Sequence, residues 1–300
     1  MTDGRKGIIW AGSAYLLWGF FPLYWKMLNS VASGEILVSR IFWSFMTTFI
    51  VVMIIRKQKE LRNDLRVLIA DKRQFFSLFS ASVLISINWF LYIWAVNHDH
   101  IVETSLGYYI NPLVSVLLGI VFLKERLAPV QIVACLIALT GVLIMTFAYG
   151  KFPWVALLLA LSFAFYGLMK KTVKLEALRG LTIETLFIVP FAMAYYVYLF
   201  STGTAQFLHS NLLTDLLLIL SGATTAIPLL LFAKGAQSIP LYMIGFLQYI
   251  APTLMLVIAI FIYHEKFGPI DMISFSLIWL SLILFTYSTV KTNRVNSSNP

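Results

Sequence analysis

Ten apolar runs, each near twenty residues long, follow one another from residue 8 to residue 289 with only short polar stretches between them. A helix rising 1.5 Å per residue needs about 20 residues to cross roughly 30 Å of hydrocarbon. The runs fall at about 7–27, 35–55, 75–96, 103–123, 129–148, 153–170, 181–200, 213–234, 240–263 and 269–289. They predict an all-α integral membrane protein of ten transmembrane helices. Barrel strands are excluded, because they alternate apolar and polar residues over ~10 positions and runs such as IFWSFMTTFIVVMII (41–55) do not.

Composition supports one membrane domain over soluble ones. Sixty percent of the residues are apolar and 12% are charged, against roughly 45–50% and about 25% in soluble chains. A net charge of +9 would suit a nucleic-acid surface, but that needs a basic patch on a soluble face. Here the basic residues sit between apolar runs, so no nucleic-acid partner is expected and the lipid bilayer is. Arg5 and Lys6 followed by an apolar run resemble a secretion signal, yet the run reaches Lys26 with no small-residue cleavage site after it; it reads as the first span. The single cysteine, Cys135, lies inside an apolar run and allows no intrachain disulfide.

Cytoplasmic loops are enriched in Lys and Arg. With the N-terminus placed inside, 18 of the 22 basic residues fall on the inner side. Both termini are then cytoplasmic, as an even number of spans requires, and the chain is a multi-pass protein of the plasma (inner) membrane.

An internal repeat divides the chain. YINPLVSVLLGIVFLKERLAP from Tyr109 and YIAPTLMLVIAIFIYHEKFGP from Tyr249 superpose at a constant offset of 140, bringing Pro112 onto Pro252, Glu125 onto Glu265 and Pro129 onto Pro269. Residues 1–150 and 151–290 thus form two five-helix repeats, followed by a polar cytoplasmic tail at 291–300. Five is odd, so the second repeat enters the membrane from the opposite side. The charges agree: the segment after the second span, 56–74, carries seven Lys and Arg, while its counterpart 201–214 carries none. Two inverted halves can open a central site to each side in turn.

The segments WGFFPLYWK in the first span, NWFLYIWAVN in the third, SLGYYINP in the fourth, SFAFYGLMKK in the sixth and GFLQYIAPT in the ninth resemble the RarD group of the EamA-type drug/metabolite transporter superfamily, over about residues 5–290. The resemblance implies a ten-helix permease whose site is lined by spans one, three, four, six, eight and nine. It does not name a cargo.

Polar groups in mid-membrane need a partner, a watery cavity or a ligand. Asn88, Asn111 and Gln248 lie near the centres of their spans and either bond a neighbouring helix or face a cavity. Pro112 and Pro252 each remove a backbone donor and are candidate hinges, and Tyr249, beside the second, is a candidate substrate-binding residue of the cavity that spans four and nine would line. Trp18, Trp89, Tyr92, Tyr108 and Tyr166 can stack on a cargo or pack the core, whereas Trp10, Trp25 and Trp154 read as interfacial anchors. Thr225, like Thr224, either faces the site or bonds back to its own helix. Arg40, about 7 Å inside the second span by the helical rise, can snorkel outward, pair with Glu35 or Glu103, receive an anionic cargo, or latch one half closed. Glu184 is the candidate for proton coupling, with neutralisation by Lys170 or Lys171 as the alternative. Lys124, Glu125 and Arg126, with His264, Glu265 and Lys266, mark equivalent helix ends. His98, Asp99, His100 and Glu103 form a polar loop too weak in pattern to call a metal site.

No glycine-rich nucleotide loop, GxSxG or HExxH stretch is present, so neither ATP nor another cofactor is expected. The reading is a secondary transporter, not an enzyme, moving a small, moderately apolar metabolite or drug-like molecule by alternating access, with protons as a candidate coupling ion. A membrane scaffold or sensor without flux, and a membrane-embedded enzyme, are the rival readings.

Overall fold

The computed structural model describes residues 3–97, 101–264 and 268–298. Ten helices in it are long and apolar enough to cross a membrane: Gly4–Lys26, Ser33–Ile54, Lys72–Tyr92, Glu103–Leu123, Pro129–Tyr149, Trp154–Thr172, Ala177–Ser201, Leu212–Ser238, Leu241–Phe261 and Pro269–Thr289. They are numbered below as spans one to ten. The last helix continues to Ser298, so the polar segment expected as a tail is helical at least that far. The charged stretch after span two forms a further helix, Gln58–Ala70, whose Leu61 and Leu68 pack on Val52, Leu78, Leu178 and Ile183 of spans two, three and seven. An ion pair between Asp64 and Arg179 ties it to the start of span seven.

The repeat governs packing. Span one packs on span eight, and five spans further along the chain its counterpart, span six, packs on span three. Span four packs on nine, two on seven and five on ten, each against its own counterpart. Each of these contacts crosses between the halves, so the core is the seam joining them. Spans four and nine even end alike: Lys124 and His264, 140 residues apart, both take the left-handed conformation, at φ of 54° and 53°, which terminates a helix.

Two spans are broken. Span one is helical over Asp3–Gly19 and again over Phe21–Lys26, with Pro22 in the first turn of the second piece, where its missing N–H costs nothing. Span nine breaks at Tyr249, between Leu241–Gln248 and Ile250–Phe261. Pro252 denies the carbonyl of Gln248 its partner four residues on. Pro112, at the equivalent place in span four, sits inside an uninterrupted helix, Ile101–Leu123.

Small residues set the helix spacing. A Cβ on Gly222 would lie 2.2 Å from the carbonyl carbon of Trp43, and one on Gly245 would lie 2.6 Å from the carbonyl oxygen of Pro112. Such close approach supplies the van der Waals contact that holds helices together where lipid gives no hydrophobic drive. On the outside, Phe147, Phe191, Phe261 and Ile54 are all more than seven-tenths exposed. An apolar outer surface of this kind suits lipid and not water.

Candidate substrate cavity between the halves

The main cavity lies in the seam and encloses about 900 Å³, its open mouth included. Its walls come from spans one, two, three and four on one side and six, eight and nine on the other. Lining residues of span one run from Tyr15 to Trp25, and those of span nine from Gln248 to Met255. The cavity therefore occupies the half of the bundle toward Lys26 and Phe261.

The helical period explains which residues reach it. In span four Tyr108 and Asn111 share a face; their counterparts 140 residues on, Gln248 and Ala251, also line the cavity, with Pro252 and Met255. Neighbours in sequence are turned by about 100°. Tyr109 and Tyr249 accordingly point away, into a cluster with Ala138, Val142, Phe275 and Ile278 of spans five and ten, where the Tyr249 hydroxyl donates to the carbonyl of Tyr109 at 3.3 Å.

Three amides form the polar middle. Asn88 donates to the carbonyl of Leu159 at 2.9 Å and to the Ser162 hydroxyl at 3.0 Å, joining span three to span six. Asn111 Oδ1 accepts from Gln248 Nε2 at 3.2 Å, and the one proton of the Ser115 hydroxyl is shared between Asn111 Oδ1 at 3.2 Å and Gln248 Oε1 at 3.1 Å. Each amide thus bonds a neighbouring helix and lines the cavity as well.

Arg40 is the cation of the cavity wall. It is 8% exposed, its Nε donates to Thr225 Oγ1 at 3.1 Å, and its guanidinium carbon lies 4.6 Å from the ring centre of Trp25 and 4.8 Å from that of Trp89. A cation over an indole recovers roughly 0.5–2 kcal/mol for each ring it meets, against the ~2.5–3.5 kcal/mol that insertion scales assign an arginine at mid-membrane. The two carboxylates considered for it are bonded elsewhere. Glu35 accepts from the backbone of Gln206 at 2.9 and 3.0 Å and of Phe207 at 2.7 Å. Glu103 accepts from the Tyr149 hydroxyl at 2.9 Å and from the backbone of Val155, in the first turn of span six, at 3.0 Å. Residues 98–100 of the loop before span four lie outside the described residues, as do Glu265 and Lys266.

Beneath the cavity the bundle is solid. Trp18 and Phe163 of its wall pack on Phe232, with ring centres 5.7 and 5.5 Å away, and Tyr166 stacks on Phe232 at 5.7 Å while fully buried. Tyr166 is therefore part of the floor and not of the lining. Below it Lys170 Nζ meets Glu184 Oε2 at 2.6 Å, with both side chains at most 2% exposed. Glu184 has a partner and lies off the cavity. The end of the bundle is sealed by Glu125, whose carboxylate accepts from the backbone of Leu241 at 2.7 Å and Tyr242 at 2.9 Å, the first turn of span nine. Lys171 Nζ donates to the carbonyl of Ile239 at 2.6 Å.

Some wall residues lay outside the sequence expectation. Trp25, read as an interfacial anchor, lies under the guanidinium of Arg40, 4.6 Å from ring centre to carbon. Tyr15, Phe21, Phe163, Leu229 and Met255 carry no chemical signal beyond their period; the face shared by Tyr15 and Trp18 could have found the first. Thr224 bonds back to the carbonyl of Leu220 at 2.9 Å, while Thr225 faces the cavity.

Comparison with known proteins agrees with this architecture. The model of the EamA-like transporter family matches twice, at residues 5–147 and 152–287. The chain is 52% identical to an uncharacterized transporter, YojE, of Bacillus subtilis over 99% of each chain. It is 40% identical to Protein RarD of Escherichia coli over 98% of each, and 29% identical over 98% of each to a chloramphenicol-sensitive protein RarD of Pseudomonas aeruginosa. A solved structure shares the fold, with a TM-score of 0.67 at 17% identity, covering 94% of this chain and 97% of its own. With ten spans in two inverted repeats and relatives matched from end to end, the chain is a multi-pass membrane protein that belongs to the EamA-like transporter family, in its RarD group.

Proposed function

We propose that the protein is a secondary transporter that carries a small metabolite or drug-like molecule across the plasma (inner) membrane by alternating access, with the cavity between the halves as its binding site. One observation carries this reading: the cavity is walled by equivalent positions of both repeats, Tyr108 with Gln248 and Asn111 with Ala251. If the halves exchange conformations, those residues meet the opposite side of the membrane, which is what inverted repeats permit.

Basic residues orient the chain with both termini in the cytoplasm, so the state described is sealed on the cytoplasmic side by Glu125 and Lys171 and hollow toward the outside. Reporter fusions in 56–74 and in 201–214 test that orientation; they should report opposite compartments, the first cytoplasmic.

The transport reading is tested by flux into liposomes holding the purified protein, over a panel of small aromatic solutes that includes chloramphenicol. Saturable flux that falls on Trp18→Ala or Asn111→Ala supports it. Conversion of a solute without movement would point to an enzyme, and binding without flux to a sensor.

A second reading, proton coupling, draws on the burial of Glu184 one layer beneath the cavity floor. Proton loading there requires the Lys170 pair to open. Normal transport with unchanged pH dependence in Glu184→Gln would remove it.

A further inference from the structure

The chemistry of the cavity wall is unbalanced. Among the described residues the guanidinium of Arg40 makes one hydrogen bond, from Nε to Thr225, and no ion pair with any carboxylate. A guanidinium carries five N–H donors in a planar fork, so four of them, on the two terminal nitrogens, have no acceptor in the described protein. The group is more than nine-tenths buried, lies over the rings of Trp25 and Trp89, and lines the cavity. Glu35 accepts from the backbone of Gln206 and Phe207, and Glu103 from the backbone of Val155 and the hydroxyl of Tyr149.

We propose that Arg40 is an anion-binding subsite of the cavity and that the cargo is a small aromatic or apolar molecule bearing one planar or tetrahedral oxyanion, a carboxylate, sulfonate or phosphoryl group. This assignment rests on the transport reading of the same cavity and specifies its substrate class. The free edge formed by the two terminal nitrogens matches two oxygens of such an anion, the bidentate pairing that a lysine cannot reproduce. The bond from Nε to Thr225 and the two indoles restrain the group before an anion arrives, which lowers the cost of ordering it. The remaining wall suits the rest of the molecule. Trp18, Phe163 and Tyr108 offer faces for a flat apolar body, while Asn111 Nδ2, with no acceptor among the described residues, and Asn88 Oδ1 can address one further polar group.

The same oxyanion chemistry exists in a lipid headgroup and in inorganic anions, and the test separates the sources. Because Trp18, Trp25 and Trp89 line the cavity, binding is read by intrinsic fluorescence of the purified full chain in dodecyl maltoside. The probes are benzenesulfonate and phenylacetate, their neutral counterparts benzenesulfonamide and phenylacetamide, benzylammonium, and sodium sulfate at matched ionic strength. The proposal predicts saturable quenching by both organic anions, about tenfold or more tighter than by the amides, with benzylammonium weakest. Arg40→Gln should bring anion and amide within about twofold of each other without abolishing amide binding, and Arg40→Lys should restore part of the preference. Equal binding of anion and amide by the parent chain overturns the proposal, a result that needs no variant to fold. So does quenching by neither organic anion at millimolar concentration, an anion preference unchanged in Arg40→Gln, or sulfate binding as tightly as benzenesulfonate. Displacement of the organic anions by added phosphatidylglycerol in an Arg40-dependent way assigns the residue to lipid and also overturns it. Flux is measured separately on the same preparations. Anion binding without flux leaves the subsite standing and sinks the transport reading, whereas flux of a neutral solute indifferent to Arg40→Gln, without anion preference, does the reverse.

Discussion

Nε of Arg40 donates to the hydroxyl of Thr225 at 3.1 Å, a bond that joins the second span of the first repeat to the third span of the second. It is the one hydrogen bond that the described protein gives this cation. Replacing Thr225 by valine keeps the shape and removes the acceptor. A hydrogen bond to a charged group is worth about 1.5–3 kcal/mol, so Thr225→Val should lower the thermal midpoint in detergent by several degrees while Thr225→Ser stays near the parent. An unchanged midpoint in the valine variant would show that the bond carries no stability.

One turn before Thr225, Gly222 lets spans two and eight touch. The carbonyl group of Trp43 occupies the place a Cβ would need, at 2.2–2.3 Å, and backbone cannot yield as a flexible side chain does. Gly222→Ala should cost about 1–3 kcal/mol and displace Thr225 from Arg40. Thermal unfolding together with the anion preference of the variant checks both effects.

The buried pair of Lys170 and Glu184 predicts a non-additive cycle. Removing one partner leaves an uncompensated charge and costs about 3–5 kcal/mol, so Lys170→Met and Glu184→Leu should each destabilise strongly. The double variant should lose far less than the two losses combined. Additive losses would mean that the two charges do not sense each other.

Glu125 caps the first turn of span nine through two backbone N–H groups, and loss of a cap costs about 0.5–2 kcal/mol. If that contact exists only while this end is sealed, Glu125→Ala should raise the open population by roughly 2- to 30-fold. Ile239, buried at 2%, reports the change: Ile239→Cys in a Cys135→Ala background should react faster with a membrane-impermeant maleimide once Glu125 is alanine. An unaltered rate would show that Glu125 is no latch.

The spans were legible because apolar length is a one-dimensional property, and their repetition because Pro112, Glu125 and Pro129 recur at one offset. What the chain places opposite each residue was not legible. Glu125 reads as an ordinary helix end, since the backbone it caps lies 116 residues away. Pro112 and Pro252 share a local context, yet only the helix with Pro252 breaks; no local signal separates them. Tyr108 and Tyr109 differ by one step of about 100°, and strict use of the period would have sent Tyr109 and Tyr249 to the outer layer. Trp25 resembles any tryptophan near a span end, and its role appears only when Arg40 from another helix lies over it.

Solute counterflow tests the central claim most directly. Liposomes holding the purified protein are loaded with unlabelled benzenesulfonate, which hardly crosses lipid unaided, and diluted into a trace of the labelled compound. A carrier whose single site faces one side at a time should drive a transient rise of label inside above its equilibrium level, abolished when the outer concentration is raised to match the inner. A monotonic approach to equilibrium, or no entry beyond that of protein-free liposomes either for benzenesulfonate or for the neutral solutes of the flux panel, would contradict an alternating site between the two halves.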